Sequence, residues 1–469
     1  MAAPTARSYD RSAISDALKV EYEPALQKAF AERTYDITKI TTAMNKAIRG
    51  GYLHIETETD RMPGGSFGGE KTPYPYPSDP ALSHFKVRPA WLRGTGEFTK
   101  QAEDDSKESR LAWIQAQRGG MDRLVSALAR QSYRQVFGDR YARVALVSDD
   151  LNAGTTVNLV HADILPNAAD AWSSPLSDRG SRALLIGELI EFISIDDATG
   201  VGTTRVDAGG TNTLFEIISI TNHYQIVVHT APIGLDGTEA VCVAEAFNKG
   251  VADTDDQPYA PYGLNEIIFD GVDDGAPTFL FGHYGEMDRS TYPQFNSLCV
   301  NKAGVSLAET DFNNMSNALY GRSGKKLQDG EYVCVVSPDV FAKIKSWNEL
   351  AIRYEPRTSP LGMPDDAVTW AGMGKPLSFM IDWMCPARTM YFVHKPSMHR
   401  YENMPLEFVN EDGSILRPVL SSGRLTDVWQ YHTRQRYQIF SPAPHRMGRI
   451  DNIGFTDPNW GLASYLPSI

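Results

Sequence analysis

Cysteine is scarce and scattered. The four in 469 residues, Cys242, Cys299, Cys334 and Cys385, lie too far apart for a C-x-x-C metal or redox pair. Spaced in this way they read as small buried hydrophobes of a reducing compartment. Long apolar runs are missing as well. No stretch approaches the roughly 20 apolar residues of a membrane-spanning helix, and the opening MAAPTARSYDRSA lacks the apolar core of a secretory leader. Dense Lys/Arg runs are also absent: 45 basic residues stand against 58 acidic ones, a net charge of -13. A sequence-reading DNA binder usually carries a basic face; this balance disfavours non-specific adhesion to phosphates and does not exclude a few local contacts. The ten histidines are dispersed, with no H-E-x-x-H and no pair at metal-ligand helical spacing. No cofactor and no metal is expected.

What is present is an ordinary globular composition, 42% hydrophobic and 22% charged. At roughly 150 residues per domain, the length suggests two to four domains. The 38 glycines and 28 prolines suit a loop-rich protein better than a helical bundle.

Along the chain, residues 1–12 are small and polar. From Ser15 the pattern turns helical, with Leu18, Tyr22, Leu26 and Phe30 on one stripe and a break or kink expected at Pro24. LHIETETDR then alternates like a strand, MPGGSFGGEKTPYPYPSDPALS is dense in Gly and Pro, and SHFKVRPAWLRGTGEFT is again extended. This reads as a long two-stranded excursion. A hairpin alone in water is marginal, so it needs a neighbour to lie on, and that neighbour can be another chain. Residues 105–138 give the strongest helix, with N-cap chemistry at Asp104, Asp105 and Ser106, an interruption expected at Gly119-Gly120 and an end near Gly138.

Residues 143–250 hold about six short β-type runs split by Gly, Asp and Asn, which suggest a small inserted barrel or sandwich. Further on, Ser306 to Glu309 forms a capping-box pattern. EYVCVV reads as a buried strand running into a helix, with Ser337 as N-cap and Pro338 at the first helical position. PLSFMIDW, TMYFVHK, LEFVNED and SILRPVL read as strands, the last two joined as a hairpin by Glu411-Asp412-Gly413. TDVWQYHTRQRYQIFSP reads as one long strand.

Several motifs have catalytic overtones. Gly64 to Gly68 matches G-x-S-x-G, but no apolar strand precedes the serine, and prolines block a helix after it, so a loop tip is the better account. Gly321 to Lys326 hints at a phosphate loop but fails the Walker spacing and reads as a helix C-terminal turn. The aspartates at 253, 255, 256, 270, 273 and 274 match no EF-hand loop and read as solvated linker acids. MDRSTYPQFNSL, 287–298, concentrates Asp288, Arg289, Ser290, Thr291, Tyr292, Pro293 and Phe295. No histidine base adjoins Ser290; Arg289 lies between Glu286 and Asp288, so a structural ion pair to a carboxylate is the simpler account. Tyr292 and Phe295 would anchor the segment, with Pro293 setting a turn.

The order of these segments resembles the tailed-bacteriophage major capsid proteins with the HK97-like fold. The carrying residues are the helical arm LKVEYEPALQKAF, the Gly-rich excursion GGSFGGEKTPYPYPSD, and its return VRPAWLRGTGEFT into a long helix ending RQSYRQVFGD. They continue with the β-rich insertion, GLNEIIFDG with DRSTYPQF, and VVSPDVFAKIKSW, PLSFMIDWMCPARTMYFVH and PLEFVNEDGSILRPV. The match covers most of residues 15–455.

The resemblance implies an α+β HK97-like fold: N-terminal arm (1–50), extended loop (51–104), spine helix and start of the peripheral domain (105–146), a β-rich barrel or sandwich insertion (147–250), more peripheral domain (251–305), axial domain (306–424), and a peripheral strand with C-terminal tail (425–469). It implies no enzyme but a virion protein, assembled in the host cytoplasm into an icosahedral shell around double-stranded DNA. Its partners would be copies of itself in pentamers and hexamers, a separate scaffolding protein (the first helix starts near Ser15), a portal, a decoration or cement protein, and weakly held DNA. No membrane partner is implied.

Gly65, Phe67, Glu70, Tyr74, Tyr76 and Trp91 would make the inter-subunit contacts of the loop. Asp288, Arg289, Tyr292, Pro293 and Phe295 would form a structural joint between peripheral and axial domains, so that Arg289→Ala impairs assembly or stability rather than turnover. Some members of the family crosslink a loop lysine to a neighbour; Lys71, Lys86 and Lys100 occupy the right region, but no crosslink is expected. Lys19, Lys28, Lys39, Lys46 and Arg49 of the arm are candidates for modest DNA contacts. Two other readings stay open: a tail or fibre protein, and a carbohydrate-active hydrolase using Glu286 and Asp288.

Overall fold

A computed structural model describes, apart from short breaks, residues 23–58, 82–99, 110–148, 154–159, 180–195, 202–243, 260–270, 283–344, 377–410 and 415–454. The chain is α+β and divides into two compact units, one from 1–39, 89–134 and 401–438, the other from 40–88, 135–400 and 439–469.

In the first unit the long helix Arg110–Val136 covers a sheet built on the 17-residue strand Arg424–Phe440. The helix runs unbroken through Gly119-Gly120, so the expected interruption is absent. A helical glycine costs only about 1 kcal/mol, and the 27-residue helix around it absorbs that cost. The expected N-cap at Asp104 to Ser106 lies outside the described residues. Strand Ala90–Thr99 pairs antiparallel with the long strand from Ala90↔Tyr437 to Thr99↔Val428. Its glycines permit close packing: a Cβ at Gly96 would sit 2.2 Å from the Tyr431 ring, and one at Gly94 would sit 2.9 Å from Leu124.

Among the described residues LEFVNED and SILRPVL do not pair with each other as the expected hairpin. Strands His399–Phe408 and Leu416–Ser421 are both hydrogen-bonded to the long strand instead. A 17-residue partner offers enough ladder for both, and it outweighs a local turn signal. In the arm, Glu23–Arg33 is helical with Leu26 and Phe30 buried. Pro24 sits in the first turn of the described helix, where proline is tolerated.

The second unit holds two larger sheets. One joins Leu298–Asn301, Gly448–Asp451, Met390–His394, Tyr332–Val336 and Ser378–Ile381 in that order. Its middle strand, MYFVH, is buried throughout. Helix Glu309–Ser323 packs Phe312, Met315 and Leu319 into the same core. That helix is capped two residues later than the sequence pattern suggested: the Asp311 carboxylate accepts the Ala308 N–H at 2.8 Å. It ends at Gly324 with φ 68°, the left-handed turn expected of that glycine. Helix begins again at Pro338 as expected, and the Phe341 N–H reaches the Ser337 carbonyl, while the Ser337 hydroxyl makes no cap.

The other sheet has seven strands between Arg143 and Val243, and every pairing in it is antiparallel. The two ends of its strand order meet: Val147 bridges Leu159, and the Ser148 N–H donates to the Asn158 carbonyl at 2.8 Å. Inside lie Val144, Val157, Ile190, Phe192, Phe215, Ile217, Ile226 and Val241, all buried.

A short hairpin, Leu53–Glu58 with Leu82–Val87, pairs only within itself among the described residues. The excursion thus begins as a ribbon, but SHFKVRPAWLRGTGEFT is not one strand. It divides at Arg88-Pro89, because proline lacks the N–H that a ladder needs.

Backbone comes close at Gly263, where an added Cβ would lie 2.3 Å from the Gly138 carbonyl oxygen and 2.5 Å from that of Gln135. Backbone cannot swing away as a side-chain tip can. Gly263→Ala is therefore expected to cost about 1–3 kcal/mol, read as a lowered thermal midpoint; an unchanged midpoint would refute this contact.

Candidate functional site

The segment that drew attention in the sequence forms a socket for the root of the Leu53–Glu58/Leu82–Val87 ribbon. It starts with a minimal hairpin, His283-Tyr284 paired with Met287-Asp288. The two turn residues, Gly285 and Glu286, have φ of 60° and 64°, the double left-handed geometry of a type I′ turn. Gly285 is obligatory, since a Cβ there would fall 2.0 Å from the Phe85 ring. Glu286 tolerates its strained backbone and places its carboxylate 2.6 Å from the Lys86 Nζ. The Lys86 backbone N–H also donates to the Gly285 carbonyl at 3.0 Å.

Phe85, fully buried, then enters an aromatic cluster. It stacks on Phe295 at 5.7 Å with rings 9° from parallel, and tilts against Tyr284 at 5.0 Å and Phe440 at 6.1 Å. Tyr284 meets Tyr262 at 5.1 Å and is pinned at its hydroxyl, which donates to the Ser441 carbonyl and accepts the Ser441 N–H. Burial pushes the Tyr284 hydroxyl well above its ordinary pKa, so it stays a neutral donor.

Beneath the cluster lies Arg289, 1% exposed. Contrary to expectation, backbone carbonyls rather than a neighbouring carboxylate accept its hydrogen bonds. Its Nη1 donates to the carbonyls of Phe269 and Phe295, both at 2.9 Å, and its Nη2 to the carbonyl of Glu266 at 2.6 Å. Its guanidinium also lies 4.9 Å from the Tyr284 ring and 5.4 Å from that of Phe269. The rigid fork of a guanidinium suits three converging carbonyls as a lysine cannot. Burial pulls its pKa down to about 10, which still leaves it charged near neutrality.

Glu286 and Asp288 serve other partners. The Asp288 carboxylate accepts the Ser290 N–H, the Ser290 hydroxyl and the Thr291 hydroxyl at 2.8–3.0 Å. Those bonds lower its pKa, whereas a general acid needs a raised one. The Asp-Arg-Ser-Thr cluster is thereby spent on a turn. Pro293 opens the single 3-10 turn Pro293–Phe295; Phe295 is buried, and Tyr292 only half-buried. Trp91 lies on strand Ala90–Thr99 in the first unit, 38% exposed. Gly65, Phe67, Glu70, Tyr74 and Tyr76 lie outside the described residues, as do Lys71 and Lys100.

Phe85, Glu266 and Arg140 were missed in the sequence, and Lys86 was singled out there only as a crosslink candidate. The acid inside the apolar run GLNEIIF was the available signal for Glu266. Its carboxylate is fully buried, accepts the Arg140 N–H at 3.0 Å and lies 3.0 Å from the Arg140 Nε.

A second polar constellation also looks catalytic. His394 joins the Ser397 hydroxyl at 2.7 Å through Nδ1 and the Glu331 carboxylate at 3.0 Å through Nε2. Ser397 is only 5% exposed, too enclosed for a nucleophile to meet a substrate. The trio instead pins the end of strand Met390–His394. Among the described residues no group of His, Cys, Asp and Glu has the geometry of a metal site, and no helix is long and apolar enough to cross a membrane.

No family model and no curated protein matches the chain. Solved structures do. The chain is similar to one in the capsid asymmetric unit of cyanophage A-1(L), at 10% identity over 90% of this chain and 93% of that one, with a TM-score of 0.44. It is similar to the capsid chain of a native GTA particle, at 11% identity over 90% and 91%, TM-score 0.39. A chain of the capsid asymmetric unit of cyanophage Pam1 matches at 10% identity over 89% of both, TM-score 0.38.

Two outcomes are expected. Arg289→Ala strips three buried carbonyls of their donor, each loss costing about 1–3 kcal/mol. Chemical denaturation should therefore register at least ~3 kcal/mol of lost stability, and a loss within error would refute the hub. The second concerns pH. Burial pushes the Glu266 carboxyl up to about 7 from 4.5, against the pull of Arg140. A raised folded pKa favours folding while the group is protonated; that contribution is full below about 4.5 and is lost as pH climbs through about 7. Glu266→Gln should thus remove a fall in stability between pH 5 and 8 on the order of 3 kcal/mol. Identical stability-against-pH curves would refute the assignment.

Proposed function

We propose that the chain is a major capsid protein that self-assembles into the head shell of a tailed phage and encloses its double-stranded DNA. The observation that carries this reading is the isolated ribbon. Two strands pair only with each other among the described residues, yet their root is locked by Phe85 and Lys86 into a buried aromatic and guanidinium hub. A two-stranded ribbon is marginal in water, and a costly anchor at one end is hard to explain unless the other end bears load. A second copy of the chain, beneath the 59–81 tip, supplies that load. Gly65, Phe67, Glu70, Tyr74 and Tyr76 would be its contacts.

On this reading the helix Arg110–Val136 is the spine, and the antiparallel sheet of 143–243 with meeting ends is a small barrel inserted at 147–250. Residues 1–50 are the arm, 51–104 the extended loop, 306–424 the axial domain, and 105–146, 251–305 and 425–469 the peripheral parts. Asp288, Arg289, Tyr292, Pro293 and Phe295 form the joint that fixes the loop's root. Assembly takes place in the host cytoplasm, with a separate scaffolding protein, a portal and a decoration protein as partners. Many weak contacts repeated around a shell give cooperative closure.

The hydrolase alternative loses its acids, because Glu286 is committed to Lys86 and Asp288 to three donors. Size-exclusion chromatography with negative-stain microscopy of the full chain, with and without a co-expressed scaffold, tests the proposal. Capsomers or closed megadalton shells are expected. A stable monomer under both conditions would overturn it, and a fibrous or tubular assembly would favour a tail component.

A further inference from the structure

The edges of the sheets differ in length. Strands Leu298–Asn301 and Ser378–Ile381, at the two ends of their sheet, have four residues each. Strand Ala90–Thr99 has ten. Among the described residues it pairs with the long strand Arg424–Phe440 alone. That ladder runs without a bulge from Ala90↔Tyr437 to Thr99↔Val428, so alternate N–H and C=O groups along the strand point to its other edge. Such an edge is a template for another strand, and proteins commonly blunt it with a bulge, a proline, a lysine or mere shortness. AWLRGTGEFT has none of these.

Its two charges are of opposite sign and stand symmetrically about Thr95, in the order Arg93-Gly94-Thr95-Gly96-Glu97. Arg93, Thr95 and Glu97 are exposed and share one face of the strand, because side chains alternate along it. Within the chain neither charge stands opposite its complement. Arg93 faces Arg434 across the ladder, and Glu97 faces Gln430, whose amide donates to one oxygen of its carboxylate. Along the strand the two lie about 13 Å apart. A second copy laid antiparallel on this edge, with Thr95 opposite Thr95, sets Arg93 of each copy opposite Glu97 of the other. A shift of two residues in either direction loses both pairs. Opposite charges directly across an antiparallel pair stabilise it, and like charges do the reverse.

We infer that the outer edge of strand Ala90–Thr99 is a twofold interface with a second copy of this chain, antiparallel and centred on Thr95. The inference deepens the self-assembly reading and rests on it for the second copy. Charge complementarity selects the occupant. Read backwards, the edge carries its own complement, so one patch serves both copies, as a twofold contact requires. Main-chain hydrogen bonds supply the affinity of such strand addition. The two Arg93 to Glu97 pairs fix its register, which main-chain bonds alone leave free to slip.

The test places single cysteines in the full chain and reads dimers on a non-reducing denaturing gel after mild oxidation. The wild type, with Cys242, Cys334 and Cys385 buried and Cys299 half-buried, is the blank. Cα atoms directly opposite in an antiparallel pair lie about 4.5–5.5 Å apart, within reach of a disulfide. Thr95→Cys should therefore crosslink to itself. Arg93→Cys and Glu97→Cys, each at least about 13 Å from its own counterpart, should not crosslink alone but should do so when co-expressed. All three positions are exposed, so the variants are expected to fold. In the Thr95→Cys background, Arg93→Glu should cut the dimer yield at least about threefold, and adding Glu97→Arg should restore it. Crosslinking at 93 alone as strong as at 95, or no recovery with the reversed pair, would overturn the inference. Negative-stain images of the same preparations separate the two claims. Shells of Thr95→Cys without the dimer would sink this contact alone, whatever else covers the edge. Dimers at 95 from a chain that never builds capsomers or shells would sink the capsid reading and leave the contact standing. A stable monomer with neither would sink both.

Discussion

A buried positive charge organises the second unit. Taking a guanidinium out of water is expensive, and Arg289 is tolerated only because three carbonyls from two separated segments converge on it and two aromatic rings lie against it. The constraint works in both directions. The 266–269 turn and the Pro293–Phe295 turn have no freedom to separate while the charge sits between them. In turn, Phe295 is held where Phe85 can stack on it. The ribbon's root is thus positioned through a ring whose own backbone the charge holds.

The same logic explains why the polar residues around Arg289 are not chemistry. An active site keeps its acids and hydroxyls available, with pKa values tuned toward the working pH. Here Asp288 is saturated by local donors and lowered, and Glu286 is spent on a lysine. The group with a pKa brought near neutrality is Glu266, and it is sealed in the core beside Arg140 rather than open to a substrate. Its cost is that of a buried carboxyl kept for packing and hydrogen bonding.

Much of the fold was legible because it is written in periodicity. The strands 332–336, 390–394 and 424–440, the long helix, and the left-handed stop at Gly324 all follow local pattern. Two misreadings share one cause. Glu411-Asp412-Gly413 suggested a hairpin, but a 17-residue strand elsewhere in the chain offered both segments a better ladder. Gly119-Gly120 suggested a break, but a helix packed on a sheet keeps its course through residues that would fray it in isolation. At the site, Phe295 was legible as an anchor, whereas the partners of Arg289 were not. Carbonyls carry no sequence signature, since every residue has one.

The two faces of the 424–440 sheet differ in what they present. On the helix side, glycines at 94 and 96 clear space for Leu124, Leu128 and Tyr431. On the other side, alternation places Arg93, Arg434 and Arg436 around Trp91. A strand pair with one face packed and one solvated needs only polar residues outside; it does not need arginine opposite arginine. Within the chain, the Trp91 ring between two guanidiniums and the Glu407 carboxylate against Arg434 offset part of that repulsion.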